Sequence, residues 1–206
     1  MDERARLAPE RDAGLRRRFL LRRAMLRSIL GAVCGGGTVP FTYGPHGKPA
    51  LAAPGSPRFS LSHSGLFSVL AISTGGAVGI DVALAGPLPG LDALVARVLA
   101  PLEQARFAEL PPALHLSAFY RAWTHKEALL KALGTGLALE PNLFAVEIDP
   151  RLPSRLVASH TPLIVPARWE LHVTAFPEPF LGALAVERGA RTSLSYHRFD
   201  VRSLAT

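Results

Sequence analysis

Two stretches of the chain repeat their apolar residues at helical spacing. Over residues 10–30, Leu15, Phe19, Leu20, Met25, Leu26, Ile29 and Leu30 mark one helix, threaded with arginines and ended by Gly31 and the run Gly35-Gly36-Gly37. SAFYRAWTHKEALLKAL, residues 117–133, marks a second and clearer one that stops at Gly134. The segment LPGLDALVARVLAPLEQARFAEL reads as two short helices broken at Pro101. Between the two long helices the pattern changes to short apolar runs of strand length. RFSLSHSGLFSVLAIS gives two runs parted at Ser62-His63-Ser64-Gly65, and AVGIDVAL gives another. FTYGPHGKPAL reads as a turn-rich loop. After the second helix, FAVEI, RWELHVTAF and LGALAVER alternate with Pro-rich turns. Each half holds one main helix and several strands. The expectation is an α+β architecture of two similar lobes, divided into residues 1–77 and 78–206.

Composition narrows the class. The chain has 206 residues, 49% of them hydrophobic, so a sizeable core is available. It has no run of eighteen apolar residues that would predict a membrane span, and the basic N-terminus lacks the apolar stretch of a secretory signal. Its one cysteine, Cys34, has no internal partner for a disulfide. These features predict a soluble, cytoplasmic protein with no membrane association.

Charge is uneven. The net charge is +7, and residues 1–31 alone carry nine arginines against four acids. Such a segment points to a polyanionic partner or to a solvated face. Lysine tells more. Against twenty arginines there are three lysines, Lys48, Lys126 and Lys131. An ammonium suits point contact with a phosphate, whereas the guanidinium suits a bidentate fork.

Two positions break the apolar pattern. On the second helix Lys126 shares a stripe with Phe119, Trp123, Leu130 and Leu133, and burial of its ammonium requires an anion. A bound phosphate is one such anion. Glu127 and Lys131 follow on the edge of that stripe as an i, i+4 pair, which a plain helix-surface reading also explains. Asp81, in the strand after Val78-Gly79-Ile80, either caps a turn, pairs with an arginine or holds a metal. One or two carboxylates with phosphates and water suit Mg²⁺, and Glu127 is the candidate second acid.

The ordered set Gly47-Lys48-Pro49, Ser62-His63-Ser64, Gly79-Ile80-Asp81 and Trp123-x-x-Lys126-Glu127-Ala128-x-x-Lys131, followed by Gly134, Gly136 and Leu137, resembles the Sfp-type 4′-phosphopantetheinyl transferases. The resemblance runs over about residues 1–150, and its W-KEA form is that of the branch serving polyketide and non-ribosomal peptide carriers. It implies two α+β lobes related by a pseudo-two-fold, with coenzyme A in the cleft between them, in a monomer. It implies transfer of 4′-phosphopantetheine from coenzyme A to a serine of an apo acyl or peptidyl carrier protein, with release of 3′,5′-ADP. By resemblance, Asp81 and Glu127 are the Mg²⁺ ligands, and Glu127 and Lys131 are catalytic. Arg6, Arg18, Lys48, Ser62, His63, Lys126 and Lys131 hold coenzyme A.

Two features depart from that pattern. Ala83 stands where relatives often carry a second acid, and the chain begins almost at the basic helix. The rival readings are a coenzyme A binder without catalysis and a basic nucleic-acid-binding protein. The latter leaves Asp81, Glu127 and the lysine placement unexplained, and the expectation is that no nucleic acid is bound.

Overall fold

The computed structural model describes residues 12–189 and 193–199. The fold is α+β, as expected. The order is α1 (Ala13–Val33), β1 (Phe41–Tyr43), β2 (Pro49–Leu51), β3 (Arg58–Ser64), β4 (Phe67–Ser73), β5 (Val78–Leu84), α2 (Leu91–Val98), α3 (Pro101–Glu109), α4 (Pro112–Leu133), β6 (Phe144–Val146), β7 (Leu156–Ser159), β8 (Trp169–Val173) and β9 (Phe180–Glu187). The strands form three antiparallel pairs-of-neighbours units, β1-β2, β3-β4 and β6-β7, and one three-stranded sheet of order β5-β9-β8.

Two expectations about the strands are corrected. FTYGPHGKPAL is a hairpin, not a loop, with Phe41 opposite Leu51 and Tyr43 opposite Pro49. Ser62 and His63 lie within β3, and the turn to β4 falls one step later, at Gly65 and Leu66. Serine-rich sequence looks like a turn, but here the serines serve a strand edge. In the β5-β9 ladder, the N–H groups of Ile80, Val82 and Leu84 face away from β9. They donate instead to the hydroxyls of Ser60 (3.1 Å), Ser62 (3.4 Å) and Ser64 (3.0 Å). The two-residue spacing of the serines matches the two-residue spacing of the orphan donors. Lys48 extends the same edge, donating to the carbonyl of Val78 (3.2 Å) and to that of Ala132 near the end of α4 (2.9 Å).

Helix α4 lies on this sheet. The main core gathers Phe119, Leu129 and Leu130 of α4 with Phe144, Val146, Trp169, Leu171 and Ala185. Gly79 lets the helix come close, since a Cβ there would sit 1.9 Å from the carbonyl oxygen of Ala128. Gly134 ends α4 in the left-handed conformation, at φ 78°. A second cluster fills the space among β4, β5 and β9, and a third packs Leu26 and Leu30 of α1 on Val39 and Phe59. Leu15 and Leu20, expected on the buried stripe of α1, are exposed instead. The first half of that helix extends past the strands that cover its second half.

Lys126 is fully buried, and its anion is a carboxylate. Its ammonium lies 2.7 Å from Oε2 of Glu103 and donates to the carbonyls of Pro141 (2.7 Å) and Phe144, over whose ring it also sits. Glu103 is equally buried and accepts from the N–H groups of Ala100 (2.6 Å) and Val146 (2.8 Å). Burial pushes the Glu103 carboxyl up and the Lys126 ammonium down, while each partner's charge opposes the shift of the other. The pair ties α3, α4 and β6 together.

On a neighbouring face of α4, His125 is buried between the carbonyl of Arg121 (2.7 Å from Nδ1) and Ser154 Oγ (3.0 Å from Nε2). Burial pulls its pKa down to about 4. An unfolded histidine binds its proton near pH 6.5, so the unfolded state holds more protons between those two values. Stability therefore falls as pH drops from about 6.5 to about 4, by on the order of 3 kcal/mol from this residue. His125→Gln, which keeps both hydrogen-bond partners, flattens the dependence in that window. Urea titrations of both proteins across the window measure this.

Candidate active site

A pocket of about 510 Å³ opens where β3, β5 and α4 meet, lined by Ser62, His63, Asp81, Ala83, Trp123, Glu127 and Lys131 among others. Each element delivers its side chains by its own period. Trp123, Glu127 and Lys131 succeed one another at i, i+4 and i+8 on one face of α4. Asp81 and Ala83 point the same way from β5, two residues apart. The close packing at Gly79 brings strand and helix together just before Asp81.

Asp81 is 5% exposed and holds the centre. Its Oδ1 accepts from Ser62 Oγ at 2.8 Å and from the Lys131 ammonium at 2.5 Å. Lys131 also donates to Ser62 Oγ at 2.9 Å. Both contacts of the carboxylate fall on one oxygen, so Oδ2 has no hydrogen bond among the described residues. Glu127 has none either. Burial pushes its carboxyl up, the Lys131 charge draws it back, and the Asp81 charge raises it further. Two carboxylates thus share one pocket with oxygens to spare.

A cationic margin adjoins them. Arg22 of α1 reaches the β3–β4 turn, donating to the Gly65 carbonyl at 2.7 Å and to Ser68 Oγ at 3.3 Å. Partial desolvation and the charges of Arg22 and Lys131 hold His63 below the usual histidine range, so its neutral form is favoured in the free protein. Burial and the charge of Arg18 lower Arg22 in turn. Arg18 and Arg22 repel each other, and Arg22 and Lys131 both disfavour a proton on His63, an arrangement that an incoming polyanion relieves.

The expected residues are only partly brought together. Asp81, Glu127, Lys131, Ser62 and His63 line the pocket, and Arg18 neighbours it through Arg22. Lys126 and Lys48 do not. Lys126 is paired with Glu103 on another side of α4, and Lys48 closes the sheet edge and the end of the helix. Burial lowers Lys48 to about 8, with Arg58 adding to the effect. Arg6 lies outside the described residues. Arg22 is the residue that the sequence reading passed over. Its signal was there, one helical turn after Arg18 on the same face.

Asp81 and Glu127 offer an oxygen-only donor set, which suits a hard cation such as Mg²⁺. Among the described residues, no group of three histidine, cysteine or acidic side chains gathers for a metal. Ala83 lines the pocket at the place where a third carboxylate would enter it.

Residues 77–185 match the family model of the 4′-phosphopantetheinyl transferase superfamily. That span includes Asp81, Glu127 and Lys131. Among curated proteins, the chain is similar to a putative 4′-phosphopantetheinyl transferase of Synechocystis, 38% identical over 60% of this chain and 52% of that one. It is similar also to the 4′-phosphopantetheinyl transferase HetI of Nostoc, 37% identical over 68% of this chain and 61% of that one. The 4′-phosphopantetheinyl transferase AcpT of Escherichia coli is 34% identical over 72% of this chain and 71% of its own length. The chain therefore spans between about half and seven-tenths of the length of these relatives.

Proposed function

The chain belongs to the 4′-phosphopantetheinyl transferase superfamily, and on that premise we propose that it moves 4′-phosphopantetheine from coenzyme A to a serine of an apo carrier protein. The observation that carries this reading is the meeting of Asp81, Glu127 and Lys131 in one pocket, with Arg22 and His63 at its margin. A pyrophosphate needs cations around it, and the serine needs an acceptor for its proton.

In this reaction the carrier serine Oγ attacks the β-phosphorus of coenzyme A. The bond from that phosphorus to the bridging pyrophosphate oxygen breaks, and 3′,5′-ADP leaves with the bonding pair. The serine proton passes to the Glu127 carboxylate, directly or through a water. In the metal-free pocket burial raises the Glu127 carboxyl above the usual carboxylate range. Lys131 turns from Asp81 and Ser62 toward the pyrophosphate oxygens and neutralises charge on the leaving phosphate. Asp81 and Glu127 would hold the magnesium ion, which when bound supplies further positive charge against the pyrophosphate. With alanine at 83, water would take the place of a third carboxylate, as Mg²⁺ commonly keeps several waters.

His63, Arg22 and Arg18 hold the 3′-phosphoadenosine end, and Ser62 sets the Asp81–Lys131 pair. On this reading residues 1–77 form the nucleotide lobe and 78–206 the metal and catalytic lobe, related by a pseudo-two-fold with coenzyme A between them. The carrier is a domain of the polyketide or non-ribosomal peptide kind, met in the cytoplasm by a monomeric enzyme. The Trp123-to-Lys131 motif supports the choice of carrier.

His63→Ala and Arg22→Gln each raise KM for coenzyme A by about tenfold or more and lower kcat far less, since a lost phosphate contact weakens docking. With dephospho-coenzyme A as donor both effects shrink, because the 3′-phosphate is absent. Steady-state kinetics with the two donors measure the difference. The reaction itself is tested by chromatographic detection of 3′,5′-ADP. Release that requires both the apo carrier and its serine supports transfer, and coenzyme A binding without release supports the non-catalytic alternative.

A further inference from the structure

The two margins of the β5-β9-β8 sheet are treated differently. The β5 margin is closed by the three serines and Lys48. The β8 margin is open. Arg188 N–H donates to the Arg168 carbonyl at 2.7 Å, and Thr174 N–H donates to that of Gly182 at 3.1 Å. With the β8-β9 register, these bonds fix the alternation along the strand. Residues 168, 170, 172 and 174 bond inward, so Trp169, Leu171 and Val173 turn their N–H and C=O groups away from β9. The Trp169 N–H is met by the carbonyl of Pro166, and among the described residues no hydrogen bond reaches the outward groups of Leu171 and Val173.

A groove of about 790 Å³ runs beside this edge, between β8 and the segment 150–156 that leads into β7. It is rich in cations. Arg121 of α4 donates to the carbonyls of Glu147 (3.0 Å) and Leu152 (2.7 Å) and to Ser154 Oγ (3.0 Å), yet among the described residues it has no carboxylate partner. Arg155 and Arg188 stand exposed at the mouth, at 3.2 Å from Glu147 and 3.8 Å from Glu170. Nε2 of His172 is buried without a hydrogen bond, 3.5 Å from the carboxylate of Glu170. Glu170 is the one acid in the lining.

We propose that this edge takes up an extended acidic polypeptide segment as an added strand. Unpaired donors and acceptors at strand spacing are met by another backbone, and an open edge is the usual place for such addition. Arg121, whose hydrogen bonds all go to neutral oxygens, and the arginines at the mouth select for acidic side chains. A small anion would satisfy Arg121 but leave the outward groups of Leu171 and Val173 unpaired. The groove is separate from the pocket of the proposed reaction. Arg121 and His125 lie on one side of α4, and Trp123, Glu127 and Lys131 on the other. The inference does not depend on that reaction.

The probe is a capped octapeptide of alternating glutamate and valine. The chain's two tryptophans report on the two places separately, Trp169 in the groove and Trp123 in the catalytic pocket. The expected result is saturable binding that shifts the Trp169 indole resonance, leaves that of Trp123 in place and slows amide exchange at Leu171 and Val173. Methylating alternate backbone nitrogens of the peptide, or replacing its glutamates by lysines, abolishes binding. The double variant Arg155→Gln/Arg188→Gln weakens it by about tenfold or more. Unchanged exchange at Leu171 and Val173, or equal binding of the methylated or lysine peptide, overturns the proposal. So does sodium octanoate saturating the groove where the peptide does not, which would make it a site for small carboxylates.

Discussion

Glu127→Gln loses transfer by about 10²–10⁴-fold while binding coenzyme A nearly as well as the parent, the range expected when a positioned general base is removed. The amide keeps the size and shape of the carboxyl, so α4 and the pocket are preserved. What is lost is the group that takes the serine proton and contributes a formal charge beside Asp81. On the proposed reading coenzyme A docking rests instead on Arg18, Arg22, His63 and Lys131, which the substitution leaves in place. Calorimetric titration with coenzyme A and a turnover assay, run on the same preparation, separate the two effects. A variant that transfers at the parent rate removes Glu127 from the chemistry.

Lys126→Met destabilises the fold by about 3–5 kcal/mol, the cost of leaving one member of a buried pair without the other. The Glu103 carboxylate keeps only the N–H groups of Ala100 and Val146, and the carbonyls of Pro141 and Phe144 lose their donor. Adding Glu103→Gln removes the stranded charge, although its single amide oxygen accepts from only one of the two N–H groups, which meet separate carboxylate oxygens in the parent. The double variant therefore regains part of the loss, and the two substitutions are far from additive. Urea unfolding of the parent, both single variants and the double variant gives the coupling. If Lys126→Met were as stable as the parent but bound coenzyme A weakly, Lys126 would be a phosphate ligand after all, as the sequence pattern implied.

The contrast between Lys126 and its neighbour shows what the sequence could and could not disclose. Glu127 and Lys131 fall one turn apart and Asp81 interrupts an apolar strand, so helical and strand periods marked the three positions, while their site roles came from the resemblance. The same period placed Lys126 on the buried stripe correctly. It could not name the buried anion, because Glu103 belongs to another helix and the pairing is tertiary. A faint local signal existed: Glu103 is two residues after Pro101, where a carboxylate reaches back to the start of its helix. Lys48 shows a related limit. A lysine after glycine in a turn looks free to meet a phosphate, and only the fold shows a strand edge and a helix end within its reach. Ser62 and Ser64 resembled a turn in composition, although with Ser60 their two-residue spacing was that of a strand. The hairpin at β1 and β2 was hidden by short strands and by Pro49, which sits at a strand start where its missing N–H costs little.

The account stands most directly on intact-mass spectrometry of an apo carrier protein incubated with this chain, coenzyme A and Mg²⁺. The expected result is a gain of one phosphopantetheine on the carrier, slowed by about 10²–10⁴-fold with Glu127→Gln and absent when the carrier serine is replaced by alanine. A carrier that keeps its apo mass across acyl and peptidyl types, with an enzyme shown by calorimetry to bind coenzyme A, would contradict transfer.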